Sequence, residues 1–224
     1  MKNFVRQNDV YYDYDSIDQS IECYSMGLLT YIRTLKTGST FFNDLFKRIW
    51  WKCDLKTLDY RQTRAFGYIG DPIARRAKGI AEWIMQSNLS NYFISNKTFR
   101  TSILNAPCLD MHTASLFDLF GDYCYITDWI PVDYEDHNFA MQQTEFLLNQ
   151  HKIFKVDWNL KKVHRGNKLY KQVEEIALEE MQTHLEPLVV NYLYKDMLLY
   201  KKVMEHFDPE SETWEKRSWL TGLR

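Results

Sequence analysis

The sequence predicts an α/β fold with a parallel sheet and a helix-rich C-terminal half. In the first half of the chain, short segments of β-branched and aromatic residues alternate with segments whose apolar residues have helical spacing. In the second half the helical spacing dominates. Repeated units of strand, helix and strand imply a parallel sheet, and ligands bind such sheets at the carboxyl ends of the strands.

Each predicted element rests on a local pattern. Segments rich in β-branched and aromatic residues are the predicted strands, at residues 27–35, 63–69 and 122–130. Segments with an apolar face are the predicted helices, at residues 40–50, 73–86 and 134–150. Residues 168–206 predict one or two further helices, because Pro187 breaks the pattern, and Pro72 marks the start of the helix at 73–86. Residues 152–157 predict a short strand or turn, whereas residues 88–105 leave helix and strand open.

Length and charge predict one domain without a nucleic-acid partner. A chain of 224 residues can bury one substantial core, which we expect at about residues 26–205, after an N-terminal extension at residues 1–25. The 28 basic and 30 acidic residues give a net charge of −2. The total charge therefore does not indicate binding to nucleic acid or to an anionic membrane. The oligomeric state is open.

Cysteine spacing and hydropathy predict the cellular compartment. The four cysteines, at positions 23, 53, 108 and 124, are too far apart for a Cys-x-x-Cys zinc or redox signature and are expected to be reduced. The first residues lack the apolar core of a signal peptide, and no stretch approaches the roughly 20 apolar residues that span a bilayer. We therefore expect a cytoplasmic protein with no membrane partner.

A segment rich in glycine and hydroxyl groups follows the first of these strands. It reads Lys36-Thr37-Gly38-Ser39-Thr40. A glycine lets backbone N–H groups turn toward an anion, the N-terminus of the next helix adds a positive dipole, and the lysine adds a mobile charge. The segment therefore predicts a phosphate-binding loop. The alternative is a well-capped helix N-terminus with no ligand.

The order of these residues distinguishes two kinds of phosphate loop. A Walker A loop needs a glycine five positions before its Gly-Lys-Ser/Thr, whereas here the lysine precedes the glycine. Lys-Thr-Gly-Ser-Thr after a strand instead resembles the 5′-phosphosulfate loop of sulfotransferases that use 3′-phosphoadenosine 5′-phosphosulfate (PAPS). Leu35 stands where that family usually has a proline. The resemblance implies a P-loop-like three-layer fold, in which helices flank a central parallel sheet.

A second segment resembles the part of this family that binds the 3′-phosphate of the nucleotide. The family pattern is Arg-Asp-Pro-x-x-Arg-x-x-Ser, and Asp71, Pro72 and Arg75 match it. Gly70 and Lys78 stand where the family has its first arginine and its serine. Lys78 lies one helical turn beyond Arg75, so these two cations can replace the missing pair. The alternative is that they belong to a solvated helix face.

The C-terminal half carries a looser resemblance. Residues 110–200 are similar in pattern to Golgi-type carbohydrate sulfotransferases, and the whole resemblance covers about residues 26–205. The basic stretch at residues 161–168, which includes Arg165 and Gly166, lies where members of the superfamily place a loop over the nucleotide.

The resemblance implies transfer of a sulfuryl group from PAPS to a hydroxyl or amine of an unidentified acceptor, such as a carbohydrate or small molecule. Lys36 would neutralise charge on the bridging oxygen, and the backbone N–H groups of residues 37–41 with the Ser39 and Thr40 hydroxyls would hold the 5′-phosphate. Phe41 would lie against the adenine or in the core. This chemistry needs no metal ion.

The catalytic base is the open part of this interpretation. Many relatives use a His or Glu between the two phosphate motifs, but residues 41–70 contain neither. Asp54 follows an apolar run beside Lys52, and aromatic walls of this kind tend to raise the pKa of a carboxyl group. His112 is the alternative base.

Two other classes of function fit the same motifs. One is a nucleotide-dependent kinase or phosphotransferase with a degenerate loop, which would need a carboxylate for magnesium. The other is a non-catalytic binding protein that keeps the sulfotransferase fold. Magnesium dependence would distinguish the first, and absence of nucleotide binding the second.

Overall fold

The computed structural model describes residues 4–7, 10–13, 21–37, 39–54, 58–59, 61–133, 137–151, 158 and 167–207. The strands are β1 (Phe4–Gln7), β2 (Val10–Asp13), β3 (Glu22–Ser25), β4 (Leu29–Ile32), β5 (Trp51–Asp54), β6 (Arg64–Ile69) and β7 (Asp128–Pro131). The helices are α1 (Ser39–Ile49), α2 (Pro72–Gln86), α3 (Ser90–Ser95), α4 (Lys97–Asn105), α5 (Leu116–Phe120), α6 (Asn138–Gln150), α7 (Lys168–Thr183) and α8 (Pro187–His206).

Five strands form a mixed sheet in the order β5-β3-β4-β6-β7, and β1 pairs with β2. Strands β4, β6 and β7 are parallel, with Ile32 opposite Gly67 and Ile69 opposite Pro131. Strand β3 pairs antiparallel with both β4 and β5. The α/β class is therefore confirmed, but the sheet is mixed and not parallel throughout.

The antiparallel part arises from β3, which the sequence interpretation placed in the N-terminal extension, and from the short connection that follows it. Residues 26–28 join β3 to β4, and Gly27 has a φ of +95°. The Met26 N–H donates to the Leu29 carbonyl at 3.1 Å. A connection this short can join only antiparallel strands.

The chain forms two compact units. The sheet unit contains the described residues of 20–70, 120–163 and 198–207, and thus the five-stranded sheet with α1 and α6. The helical unit contains the described residues of 1–19, 71–119 and 164–197, and thus the β1–β2 pair with α2 to α4 and α7. The expectation of a single domain stays a prediction.

Aromatic side chains fill the core of the sheet unit. Tyr31 of β4 and Tyr68 of β6 are fully buried, and the Phe42 ring of α1 stacks on Tyr68 with centroids 3.7 Å apart. Phe46, one turn later, lies against Tyr31 with centroids 4.5 Å apart. Burial of each such ring stabilises the fold by about 2–3 kcal/mol. These contacts hold α1 against the sheet and so fix where its N-terminus lies.

The helical unit is built on close contact between helix and loop. Asp71 caps α2 by accepting a hydrogen bond from the Ala74 N–H at 2.8 Å, and Pro72 occupies the first turn. At Gly79 of the same helix, a Cβ would lie 2.7 Å from the carbonyl carbon of His112. The backbone of α2 therefore packs directly on the loop around His112, which a side chain at position 79 would prevent.

Most predicted elements agree with the observed ones, including the break before Pro187. The strand predicted at residues 122–130 is wrong in its first part, because Gly121–Tyr125 is a 3-10 helix and only Asp128–Pro131 is extended. The ambiguous residues 88–105 are helical, and residues 152–157 lie outside the described part. In the described part of the chain, each helix is too short or too polar to cross a bilayer.

Candidate phosphate-binding site

The loop between β4 and α1 lies at the carboxyl edge of the parallel strands. Strand β4 is buried along its length and ends at Ile32, and α1 begins at Ser39. The Arg33 N–H extends the pairing with β3 by donating to the Glu22 carbonyl at 2.9 Å. The site therefore combines a strand end with the N-terminus of an 11-residue helix, where unpaired N–H groups and the dipole favour an anion.

Thr37 and Lys36 give the loop its local shape. Thr37 is fully buried, and its hydroxyl donates to the Thr34 carbonyl at 2.9 Å, which closes the loop on itself. Lys36 has a φ of +62°, in the left-handed region that residues with a Cβ rarely adopt. Left-handed residues occur in anion-binding nests, where successive N–H groups converge on one point. The predicted turn residue was Gly38, which lies outside the described residues.

The residue at the start of this loop carries a buried hydroxyl group. The Thr34 side chain is fully buried, and its Oγ1 makes no hydrogen bond to any residue that the structure describes. A buried hydroxyl without a partner is uncommon in folded proteins. Thr34 Oγ1 is thus a buried polar atom at the start of the loop, and Thr34 was not among the predicted site residues.

The charge of the Glu22 carboxylate, which lies beside the loop, is compensated by neighbouring side chains. Glu22 forms an ion pair with Arg33 and also accepts a hydrogen bond of 3.4 Å from the Asn43 side chain. A lone carboxylate would repel an anionic ligand, whereas this arrangement compensates its charge. None of these three residues was a predicted site residue, and Glu22 lay in the segment assigned to the N-terminal extension.

Phe41, predicted against the adenine or in the core, takes part in aromatic packing. Its ring is partly buried and lies parallel to Trp158, with 6.1 Å between centroids and 7° between planes. The Phe41 ring also packs edge-on against Phe42, with 5.1 Å between centroids, and its centroid lies 5.7 Å from that of the His137 ring. Phe41 thus packs beside Trp158, which was not a predicted site residue.

Arg75, from the second motif, is buried in the helical unit with 1% of its surface exposed. Its Nη2 donates to the Ala114 carbonyl at 2.6 Å and to Asp196 Oδ2 at 3.1 Å. Asp196 also accepts hydrogen bonds from the Leu116 N–H at 2.8 and 3.0 Å. In this arrangement the Arg75 guanidinium binds protein acceptors, so the alternative of a solvated helix face is wrong for this residue.

The other cations of α2 also have protein partners. Arg76 is fully buried and donates to the carbonyls of Pro107, at 2.8 Å, and of Ala106. Lys78 forms an ion pair with Glu174 of α7, and about a fifth of each side chain is exposed. Lys78 is therefore accessible to a ligand, although its ammonium group already has a carboxylate beside it.

The two candidate bases have different surroundings. His112 is partly buried, and its Nδ1 lies 2.8 Å from Asp110 Oδ2. Asp110 Oδ1 accepts hydrogen bonds from the backbone N–H groups of His112 and Thr113. A carboxylate fixed in this way orients an imidazole and leaves Nε2 for proton transfer. Asp54 is the last residue of β5, opposite Glu22 in the register.

The structure divides the predicted site residues between the two units. Lys36, Thr37, Ser39, Thr40, Phe41 and Asp54 belong to the sheet unit, whereas Arg75, Lys78 and His112 belong to the helical unit. Gly38, Arg165 and Gly166 lie outside the described residues. Among the residues that the structure describes, no three His, Cys, Asp or Glu side chains lie close enough to hold a metal ion.

Asp196 was also missed by the sequence interpretation, although the sequence carries a signal for it. Val189, Leu193 and Val203 are buried, and Asp196 falls on the same helical face as these three residues. A carboxylate on an apolar helix face indicates a buried partner. That partner is Arg75.

No protein-family model matches the chain, and it has no match among curated proteins or solved structures.

Proposed function

We propose that the chain is a sulfotransferase that moves a sulfuryl group from PAPS to a hydroxyl or amine of an acceptor. The observation that carries the proposal is the β4–α1 loop, where Lys36 adopts a left-handed conformation three residues before the N-terminus of α1. This combination suits a tetrahedral anion. The order Lys-Thr-Gly-Ser-Thr favours the 5′-phosphosulfate of PAPS over a Walker A ligand.

In this proposal the acceptor oxygen or nitrogen attacks sulfur while the bond from sulfur to the bridging oxygen breaks. The Lys36 ammonium neutralises the charge that develops on the bridging oxygen, and the N–H groups at the start of α1 hold the 5′-phosphate. The leaving group is 3′,5′-adenosine bisphosphate.

The acceptor proton needs a base, and the Asp110–His112 pair supports His112 in that role. The bond between Nδ1 and Asp110 fixes the orientation of the ring, so that Nε2 is the nitrogen that takes the proton. Asp54 stays the alternative. For the 3′-phosphate, Lys78 is the more accessible cation of the second motif, because Arg75 is buried on Asp196.

Calorimetric titration of the purified chain with 3′,5′-adenosine bisphosphate tests the proposal, with ADP and magnesium as the comparison. We expect the bisphosphate to bind without metal and ADP to bind weakly. Preference for ADP with magnesium would replace the proposal by the kinase alternative. Binding of neither would favour the non-catalytic alternative.

Lys36→Ala is the matching variant, and Lys47→Ala is its control, because Lys47 is exposed in the last turn of α1, the helix that follows the loop. We expect Lys36→Ala to weaken bisphosphate binding at least about tenfold and to reduce transfer by about 10²–10³. Lys47→Ala should change neither. Full transfer activity in Lys36→Ala would contradict the proposal.

A further inference from the structure

Two cysteines, 30 residues apart in sequence, lie directly opposite each other in the sheet. Cys23 of β3 and Cys53 of β5 are register partners in the antiparallel pair. The Cys23 Sγ donates a hydrogen bond to the Cys53 carbonyl at 3.0 Å, so the Cys23 side chain lies toward β5. Both are reduced thiols in this structure.

This pairing satisfies the geometric requirement for a disulfide. Directly opposed residues of an antiparallel pair point to the same face of the sheet, with Cα atoms about 4.5–5.5 Å apart. Disulfides join cysteines whose Cα atoms are about 4.4–6.8 Å apart. The two thiols can therefore be joined by rotating side chains, with no rearrangement of the strands.

The two thiols differ in exposure, and that difference sets the order of reaction. Cys23 is fully buried, whereas Cys53 is half-buried. Cys53 also lines a cavity of about 250 Å³ together with Ser25, Asp59 and Thr63. This cavity lies beside the amino ends of β4 and β6, away from the phosphate-binding loop. A small oxidant can reach Cys53 from this cavity, and Cys23 is placed to react second.

We propose that Cys23 and Cys53 form a redox pair that a peroxide converts to a cross-strand disulfide. The Cys53 thiolate attacks one peroxide oxygen, the O–O bond breaks, and the products are a Cys53 sulfenic acid and water or an alcohol. The Cys23 sulfur then attacks the sulfenic sulfur, the S–O bond breaks, and water leaves. Each sulfur is oxidised by one electron overall, and the peroxide takes both electrons.

The disulfide would close a loop that contains β4, the phosphate-binding loop and α1, because all three lie between residues 23 and 53. It would also attach β5 covalently to β3, its only strand partner among the described residues. Ring closure over this length restricts the unfolded chain, so the oxidised form should unfold at a higher urea concentration than the reduced form. The inference does not depend on the proposed sulfotransferase activity.

The test treats the full chain with hydrogen peroxide, blocks remaining thiols in denaturant, and maps disulfides by mass spectrometry without reduction. We expect one disulfide, joining the peptides of Cys23 and Cys53, a mass lower by two hydrogens, and reversal by a dithiol. Cys108 and Cys124, both buried, should stay as thiols. Burial raises the pKa of the Cys108 thiol, which slows its oxidation.

Three variants separate the steps. Cys23→Ser should stop at a Cys53 sulfenic acid, which dimedone traps, and Cys53→Ser should give no disulfide and no trapped product. Cys124→Ala should behave as the unaltered chain. A disulfide between other residues or between two chains, or a Cys53 that passes to sulfinic acid while Cys23 stays a thiol, would overturn the proposal. A midpoint of urea unfolding that is the same before and after oxidation would also overturn the proposal.

Discussion

Arg75 and Asp196 form an ion pair in which both side chains are buried, with 1% and 0% of their surface exposed. Burial raises the pKa of the Asp196 carboxyl group, although Arg75 and the Leu116 N–H both favour its charged form. The pair ties α2 to α8 within the helical unit and also holds the loop at Leu116. Arg75, which the sequence predicted to bind the nucleotide, therefore also connects elements of the helical unit.

Removing the carboxylate should strongly destabilise the fold. Asp196→Ala leaves the Arg75 charge and the Leu116 N–H buried without that partner, and we expect a loss of about 3–5 kcal/mol in the free energy of unfolding. Asp196→Asn keeps one acceptor oxygen and should cost about 1–3 kcal/mol. Urea unfolding followed by circular dichroism measures both. Equal stability of Asp196→Ala and the unaltered chain would show that the pair is not formed in solution.

The left-handed backbone at Lys36 gives a second prediction. Glycine at this position should stabilise the fold relative to alanine, although both variants lack the ammonium group that the proposed function needs. A left-handed conformation costs a residue with a Cβ roughly 1–2 kcal/mol, and glycine avoids this cost. We therefore expect Lys36→Gly to be more stable than Lys36→Ala by about 1 kcal/mol, while both lose bisphosphate affinity. The comparison needs urea unfolding and calorimetry on the same two variants. A less stable glycine variant would contradict the left-handed conformation.

These two sites show how far the sequence could lead. The strand, the loop and the helix around Lys36 are local features, so periodicity and glycine position were sufficient to predict them. The pairing of β3 with β5 and the Arg75–Asp196 pair depend on contacts between residues far apart in sequence, 121 apart for the ion pair. Spacing along one chain carries no information about such contacts, although a charge on the apolar face of α8 was a visible signal.

Gly79 provides a test of the packing between α2 and the loop at His112. In an exposed helix, glycine to alanine stabilises by about 1 kcal/mol. At Gly79 the added methyl group would lie 2.7 Å from the His112 carbonyl carbon, so we expect Gly79→Ala to destabilise by about 1–3 kcal/mol instead. Thermal or urea unfolding of the variant and the unaltered chain shows whether the substitution stabilises or destabilises the fold. Stabilisation would mean that the loop does not lie on the helix.

Variants of Lys78 and Glu174 provide a matched test of whether Lys78 binds the 3′-phosphate. Both variants, Lys78→Ala and Glu174→Ala, break the same ion pair, but only the first removes the cation. If Lys78 binds the 3′-phosphate, its loss should weaken affinity for 3′,5′-adenosine bisphosphate by about tenfold, and loss of Glu174 should leave the affinity unchanged or higher. Calorimetry with adenosine 5′-monophosphate, which lacks the 3′-phosphate, should show no difference between the two variants. Equal affinities for the bisphosphate would assign Lys78 to packing alone.

Asp128 should make stability depend on pH. Its carboxyl group is buried and accepts a hydrogen bond from Arg64, and burial raises its pKa above the ordinary value although Arg64 and His151 oppose the shift. A carboxyl group with a raised pKa in the folded state contributes stability that is present below the unfolded pKa, about 3.9, and is lost as the pH rises through the folded pKa.

Asp128→Asn removes this titration and nearly keeps the shape of the side chain. The variant should therefore be least stable relative to the unaltered chain at acidic pH, and the difference should shrink as the pH rises above about 4. Urea unfolding of both proteins across this range measures the trend, and a difference that grows with pH would reverse the assigned direction of the pKa shift.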